Sequence, residues 1–136
     1  MNMDCHHIGL FTKDPQRLIQ YYTQKLGFVE GGARVLSPEL TEQIFGIRDE
    51  CRLIKLTQDQ AAIEIFTPLH SDLVDSSPRT AGYNHWALEV EDKEAYVQLL
   101  EERDVPVTKI DHQGRKLYFI SDPEGNRIEL YEPKRQ

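Results

Sequence analysis

The 136 residues are 39% hydrophobic and 29% charged, with a net charge of -7. That composition belongs to a globular chain of one domain with a real core, and its acidic balance excludes a phosphate-backbone partner, which asks for a basic face. No apolar run approaches the ~18 residues of a membrane span, so neither nucleic acid nor membrane is an expected partner. Cys5 and Cys51 make no disulfide framework, and Asp4, His6 and His7 interrupt any signal-peptide core. A cytoplasmic chain with reduced thiols is therefore expected.

"HHIGLFTK" has a strand pattern, with Ile8, Leu10 and Thr12 on one face and His7, Gly9 and Phe11 on the other. "DPQRLIQYYTQKLG" follows as a helix, with Asp14 as N-cap, Pro15 at the first position and Gly27 past the end. Leu18, Tyr22 and Leu26 recur every four residues and should face a core. After a strand near "FVEGGARV", "SPELTEQIFG" predicts a short helix from Ser37 to Gly46 with Leu40 and Ile44 on one face. This segment is a candidate lid, although a surface helix is the commoner fate of such an insert. "CRLIKLT" and "AAIEIFTP" are strands either side of a "QDQ" turn, and "LHSDLVDSSPRTAG" is a polar crossover.

The order then repeats. "YNHWALEVE" is a strand, and "DKEAYVQLLEERD" is a helix capped by Asp92, with Tyr96, Leu99, Leu100 and Arg103 three to four apart. "PVTKID", "RKLYFIS" and "RIELYEP" are strands, the last two joined by the turn "DPEGN". His7 stands seven residues before the helix cap Asp14, and His85 stands seven before Asp92. "AIEIFTP" and "RIELYEP" likewise bring Glu64 and Glu129 into register. The chain is an internal duplication, and each half contributes one His from its first strand and one Glu from its last.

Two imidazoles and two carboxylates suit a divalent ion such as Zn, Ni, Co, Fe or Mn. A pseudo-twofold between the halves would bring His7, Glu64, His85 and Glu129 to one point. Alternation sends His6 away from His7, toward the helix layer or solvent. Taken singly, a strand His is more often a core residue and a Glu in "IEL" a surface one; the doubling favours a site. Cys5 shares the His7 face, where a small buried residue is the better reading than a reactive thiol. His70 and His112 are expected in solvated loops.

The motifs "HHIGLFTKDPQRLIQYYTQKLGF", "AAIEIFTP", "NHWALEVED" and "YFISDPEGNRIELYEP" resemble the vicinal oxygen chelate superfamily, also called the glyoxalase/bleomycin-resistance/dioxygenase superfamily. The resemblance implies an α+β fold, with two βαβββ modules in tandem forming a cupped mixed sheet, helices outside, in a homodimer. It implies one domain over residues 1–136, with module one at about 1–68, a crossover at about 69–81 and module two at about 82–136. The family's metal positions fall on His7, Glu64, His85 and Glu129, a set similar to that of glyoxalase I. Glyoxalase I carries an Arg at the place of Phe11 and an Asn at that of Pro68, both contacting glutathione, and it has basic contacts near Ala81. The departures argue against glutathione, with Arg79 the only nearby substitute.

The implied activity is that of a metal-dependent lyase or isomerase on a small molecule with adjacent oxygens. Glu64 and Glu129 are the candidates to move the proton, and Phe11, Phe45 and Tyr118 the candidates to contact substrate. Trp86 should point away from the site toward the core. Two other classes stay open: a thiol transferase similar to fosfomycin-resistance enzymes, with Arg115 and Lys116 as its anion contacts, and a non-catalytic binding or resistance module. Ring-cleaving dioxygenases usually carry four modules, and this chain has two.

Overall fold

The computed structural model describes residues 1–72 and 82–134. The chain divides into two compact units, Met1–Ser76 and Ser77–Gln136. Most of the expected crossover lies outside the described residues, and with it Arg79 and Ala81. Among the described residues no helix is long and apolar enough to cross a membrane.

The first unit runs β1 (Ile8–Phe11), α1 (Pro15–Gln20), β2 (Val29–Leu36), α2 (Pro38–Phe45), β3 (Cys51–Gln58) and β4 (Ala61–Pro68). Its four-stranded sheet has the order β1-β4-β3-β2, with β1 parallel to β4 and the other pairings antiparallel. The second unit runs β5 (His85–Glu89), α3 (Lys93–Glu102), β6 (Thr108–His112), β7 (Arg115–Ser121) and β8 (Arg127–Tyr131). Its sheet order, β5-β8-β7-β6, again joins first strand to last in parallel. These are the two tandem βαβββ-like modules of an α+β fold.

The helix starts follow the capping chemistry. Asp14 accepts from the Arg17 amide at 3.2 Å, Ser37 from that of Leu40 at 3.2 Å and Asp92 from that of Ala95 at 3.0 Å. Gly46 ends α2 at φ 76° and returns its amide to the Glu42 carbonyl. The first helix does not stay α-helical to its end, because Tyr21–Lys25 widens into a π-helical turn. There the Thr23 hydroxyl donates to the Ile19 carbonyl at 2.6 Å, the acceptor that an α-helix would give to the Thr23 amide.

Alternation divides each sheet into a core face and a site face. In the first unit Ile54, Leu56, Ile63 and Ile65 are buried on one face, and α1, the helix that reaches β4, buries Leu18 and Tyr22. The periodic set Leu18, Tyr22 and Leu26 is buried as its spacing requires. Helix α2 lies over the other face: Phe45 packs against a cluster of Leu36, Cys51, Leu53 and Phe66. Leu40 and Ile44 share a face as expected, one that is exposed, and Thr41 is the residue that α2 buries. In α3 the buried residues are Val97 and Leu100, while Leu99 is exposed. Of the spaced set Tyr96, Leu99, Leu100 and Arg103, Leu100 is the buried member, and Val97 three residues before it completes the buried stripe. His112 closes β6 rather than lying in a loop.

The start of β3 is tied to the residues after β4 by Asp49. Its Oδ2 accepts from the His70 amide at 2.9 Å and from the Ser71 amide at 2.6 Å. Burial alone would push this carboxyl up, but the two amides, with the Ser71 hydroxyl and the His70 charge, outweigh burial and hold it below the usual carboxylate value. A lowered folded value means that the stabilisation is complete above the unfolded pKa, about 3.9, and is lost as pH falls through the lower folded value. Asp49→Asn is therefore expected to lower the urea midpoint at pH 7. Its gap to wild type should narrow below about pH 4, and an unchanged gap across that range would exclude the carboxylate as the source.

Candidate metal centre

Parallel pairing sets the local geometry of both half-sites. Gly9 is the Cα partner of Glu64 in the first unit, and Ala87 is the partner of Glu129 in the second. In each unit a small residue stands opposite the glutamate, and the histidine lies two residues before it on the same face. A larger side chain at Gly9 would crowd the site face: a Cβ there would meet the Phe66 ring at 3.2 Å.

His7 Nε2 lies 2.9 Å from Glu64 Oε2, and His85 Nε2 lies 3.5 Å from Glu129 Oε2. Each glutamate is the more shielded member of its pair. On the far side of each imidazole is the preceding residue. His6 Nδ1 is 2.8 Å from His7 Nδ1, and Asn84 Oδ1 is 2.8 Å from His85 Nδ1. His6 is solvent-exposed as expected, but its ring is not turned away from His7. Strand pairing begins only at Ile8: His7 next to it still reaches Glu64, but His6 is not held to the opposite face, and the two rings meet edge to face at 5.1 Å.

Beyond the first pair the site face becomes aromatic. Phe11 and Phe45 are 4.8 Å apart between centroids, Phe45 and Phe66 4.8 Å, and Phe11 and Phe66 5.8 Å. These offset and edge contacts are the favoured ones for rings. Two of the expected substrate contacts, Phe11 and Phe45, thus join one cluster with Phe66. Within each unit the His and Glu donors form a pair, and no group of three or more metal-holding side chains forms among the described residues. Each pair offers one imidazole nitrogen and one carboxylate, a donor set that fits half the shell of a divalent ion.

With the fold and both pairs described, comparison with known proteins is direct. A family model for the Glyoxalase/Bleomycin resistance protein/Dioxygenase superfamily matches residues 5–130. The chain belongs to that superfamily. It is 29% identical over 130 residues to the uncharacterized protein YaeR of Escherichia coli K12, covering 93% of this chain and 94% of that one. Among solved structures it resembles the trypanothione-dependent glyoxalase I of Leishmania major, at 26% identity and a TM-score of 0.67, over 96% of this chain and 87% of that one. A glyoxalase family protein from Bacillus cereus shares the fold at a TM-score of 0.74 and 19% identity, over 97% and 95% of the two chains.

Tyr118, an expected substrate contact, stands on the face of the sheet opposite Glu129. Tyr118 pairs with Leu130, one residue out of step with Glu129, and so occupies the face that α3 covers. It is buried, and its hydroxyl donates to Glu94 of α3 at 2.6 Å. The ring on the site face is Phe119, the partner of Glu129, whose centroid is 5.2 Å from that of His85. The signal for it was available. The five-residue turn 122–126 pairs Ser121 with Arg127, which puts Phe119 opposite Glu129. Trp86 does turn away from the site, in register with Ile128. Cys5 is exposed rather than buried, and Cys51 is the buried thiol, its pKa pushed up by burial. A groove of about 560 Å³ in the second unit is lined by Arg115, Lys116 and Lys134 as well as Glu129.

The hydrogen bond to Glu94, helped by burial, pushes the Tyr118 hydroxyl up to about 12. Its contribution to stability is present below the unfolded value near 10 and is lost as pH rises through about 12. Tyr118→Phe should cost about 1–2 kcal/mol in urea denaturation at pH 7 and leave the environment of His85 unchanged. Of the six tyrosines, the one that ionises last in an ultraviolet titration should be missing from the variant. Perturbed His85 resonances in this variant would instead place Tyr118 in the site.

Proposed function

We propose that this chain is a metal-dependent lyase or isomerase that moves a proton next to a carbon–oxygen group of a small substrate. The observation that carries this is the repeated His–Glu pair, at equivalent register beside a small residue in both units. On this reading His7 and His85 hold one divalent ion through Nε2, together with Glu64 and Glu129. The ion, when bound, supplies Lewis-acid stabilisation of negative charge on two adjacent substrate oxygens. A carboxylate that can leave its partner acts as base and then as acid. Glu129 fits that role better, because its contact with His85 is the looser one, 3.5 Å against 2.9 Å for Glu64 and His7. Glu64 then remains a holder.

Phe11, Phe45 and Phe66 give the substrate an apolar wall, and Phe119 lines the side next to His85. Such walls exclude water and strengthen each charge interaction beside them. The Leishmania enzyme is trypanothione-dependent, but Phe11 and Pro68 offer no polar contact of the kind glutathione takes in glyoxalase I, so a substrate without glutathione is preferred. A homodimer in the cytoplasm belongs to the same proposal, supported by the habit of the superfamily and by the two free thiols.

Thiol transfer to an electrophile is the second reading, favoured by the cationic side of the groove at Arg115 and Lys116. It needs only His7, His85 and Glu129 as ligands. Elemental analysis and titration with Zn or Ni separate the two. The first reading expects about one ion per chain, loss of tight binding in His7→Ala and Glu129→Ala with an unchanged circular dichroism spectrum, and at least tenfold weaker binding in Glu64→Gln. Full affinity in Glu64→Gln would move the assignment to thiol transfer. No uptake by wild type would end both.

A further inference from the structure

We propose that the residue immediately before each site histidine, His6 in the first unit and Asn84 in the second, is a positioning residue. It accepts a hydrogen bond from its neighbour's Nδ1–H and leaves Nε2 as the free lone pair facing the glutamate. The role of that lone pair, and the placing of the shared proton on His7, rest on the metal reading above; the assignment at His85 does not.

The second unit fixes the polarity. Arg127 Nη1 lies 3.0 Å from Asn84 Oδ1. A guanidinium only donates, so the Asn84 atom beside it is the amide oxygen and not the nitrogen. His85 Nδ1 lies 2.8 Å from that same oxygen and must therefore carry a proton. In the neutral ring the proton on Nδ1 leaves Nε2 bare, 3.5 Å from Glu129 Oε2. Two acceptors then face each other, an arrangement that a cation between them resolves. Arg127 is itself held over the Phe119 ring at 4.6 Å, and Phe119 meets the edge of His85. Arginine, amide, imidazole and phenyl ring close one loop of contacts that leaves the His85 ring little freedom.

The first unit repeats the geometry with a different residue. His6 Nδ1 and His7 Nδ1, 2.8 Å apart, must share one proton. Assigning it to His7 gives His7 the same state as His85, with Nε2 toward Glu64 at 2.9 Å. Histidine and asparagine are interchangeable here for a simple reason. Nδ1 of one and Oδ1 of the other are both bonded to Cγ, so each acceptor stands at the same reach from the backbone.

The test uses the full chain, ¹⁵N-labelled and metal-free, at a pH where imidazole is neutral. Long-range proton–nitrogen correlation reads which nitrogen carries the proton. Wild type should show His85 and His7 protonated at Nδ1. Asn84→Ala should switch His85 to Nε2–H, which then donates to Glu129, and Asn84→Asp should restore Nδ1–H. His6→Ala should switch His7, and His6→Asn should restore it. Titration with Zn or Ni should then show about tenfold weaker binding in each alanine variant and recovery to within about threefold in His6→Asn. Nε2–H in wild type, or a tautomer indifferent to Asn84→Ala and His6→Ala, would overturn the proposal. Expected tautomers with no metal uptake by wild type would sustain the positioning role and overturn the metal reading instead.

Discussion

The pairing of the first strand with the last, in parallel, is the constraint on which the rest of each unit depends. It is the one pairing in each sheet that a tight hairpin cannot make, so the helix and two further strands must lie between. It also fixes the chemistry. Parallel register sets Gly9 beside Glu64 and Ala87 beside Glu129, and side-chain alternation brings the histidine two residues earlier onto the same face. A slip of one residue in either strand would turn the carboxylate into the core and a core isoleucine outward. The apolar faces that hold the fold thereby also hold the site in register. Ile63 and Ile65 flank Glu64, Ile128 and Leu130 flank Glu129, and all four are buried.

That arrangement explains why a carboxylate can be kept in a strand that is otherwise core. The cost of a desolvated Glu falls when a donor or cation stands opposite it, and both glutamates keep part of their surface. The small partner residue leaves room for the imidazole. At Gly9 it also admits the Phe66 ring, so a single missing side chain serves both the polar pair and the aromatic cluster.

Much of this was legible in the sequence because it is local. Cap residues, glycine stops and the duplicated spacing from His to helix cap are read within a dozen residues, and the three N-caps match. What was hard to read depends on register or on where an element begins. Tyr118 and Phe119 are both aromatic, so composition cannot say which faces Glu129; the turn length can. His6 looked excluded because alternation was extended two residues beyond the start of pairing. In α3 the spacing names Leu99 together with Leu100, and only packing shows that Leu100, with Val97, is the buried one. Likewise only packing shows that the shared face of Leu40 and Ile44 looks outward while Thr41 is buried. In an eight-residue helix one side chain, Phe45, meets an aromatic cluster below and sets the rotation.

The duplication is also imperfect where it matters for chemistry. The neighbour of Glu64 on the adjacent antiparallel strand is Lys55, whereas that of Glu129 is Phe119. Two carboxylates related by descent are thus placed in opposite surroundings. On the proposed reading this difference matters, since a group that holds an ion and a group that moves a proton need different environments. Two identical halves would carry two identical pairs; Lys55 in one and Phe119 in the other is where these halves part.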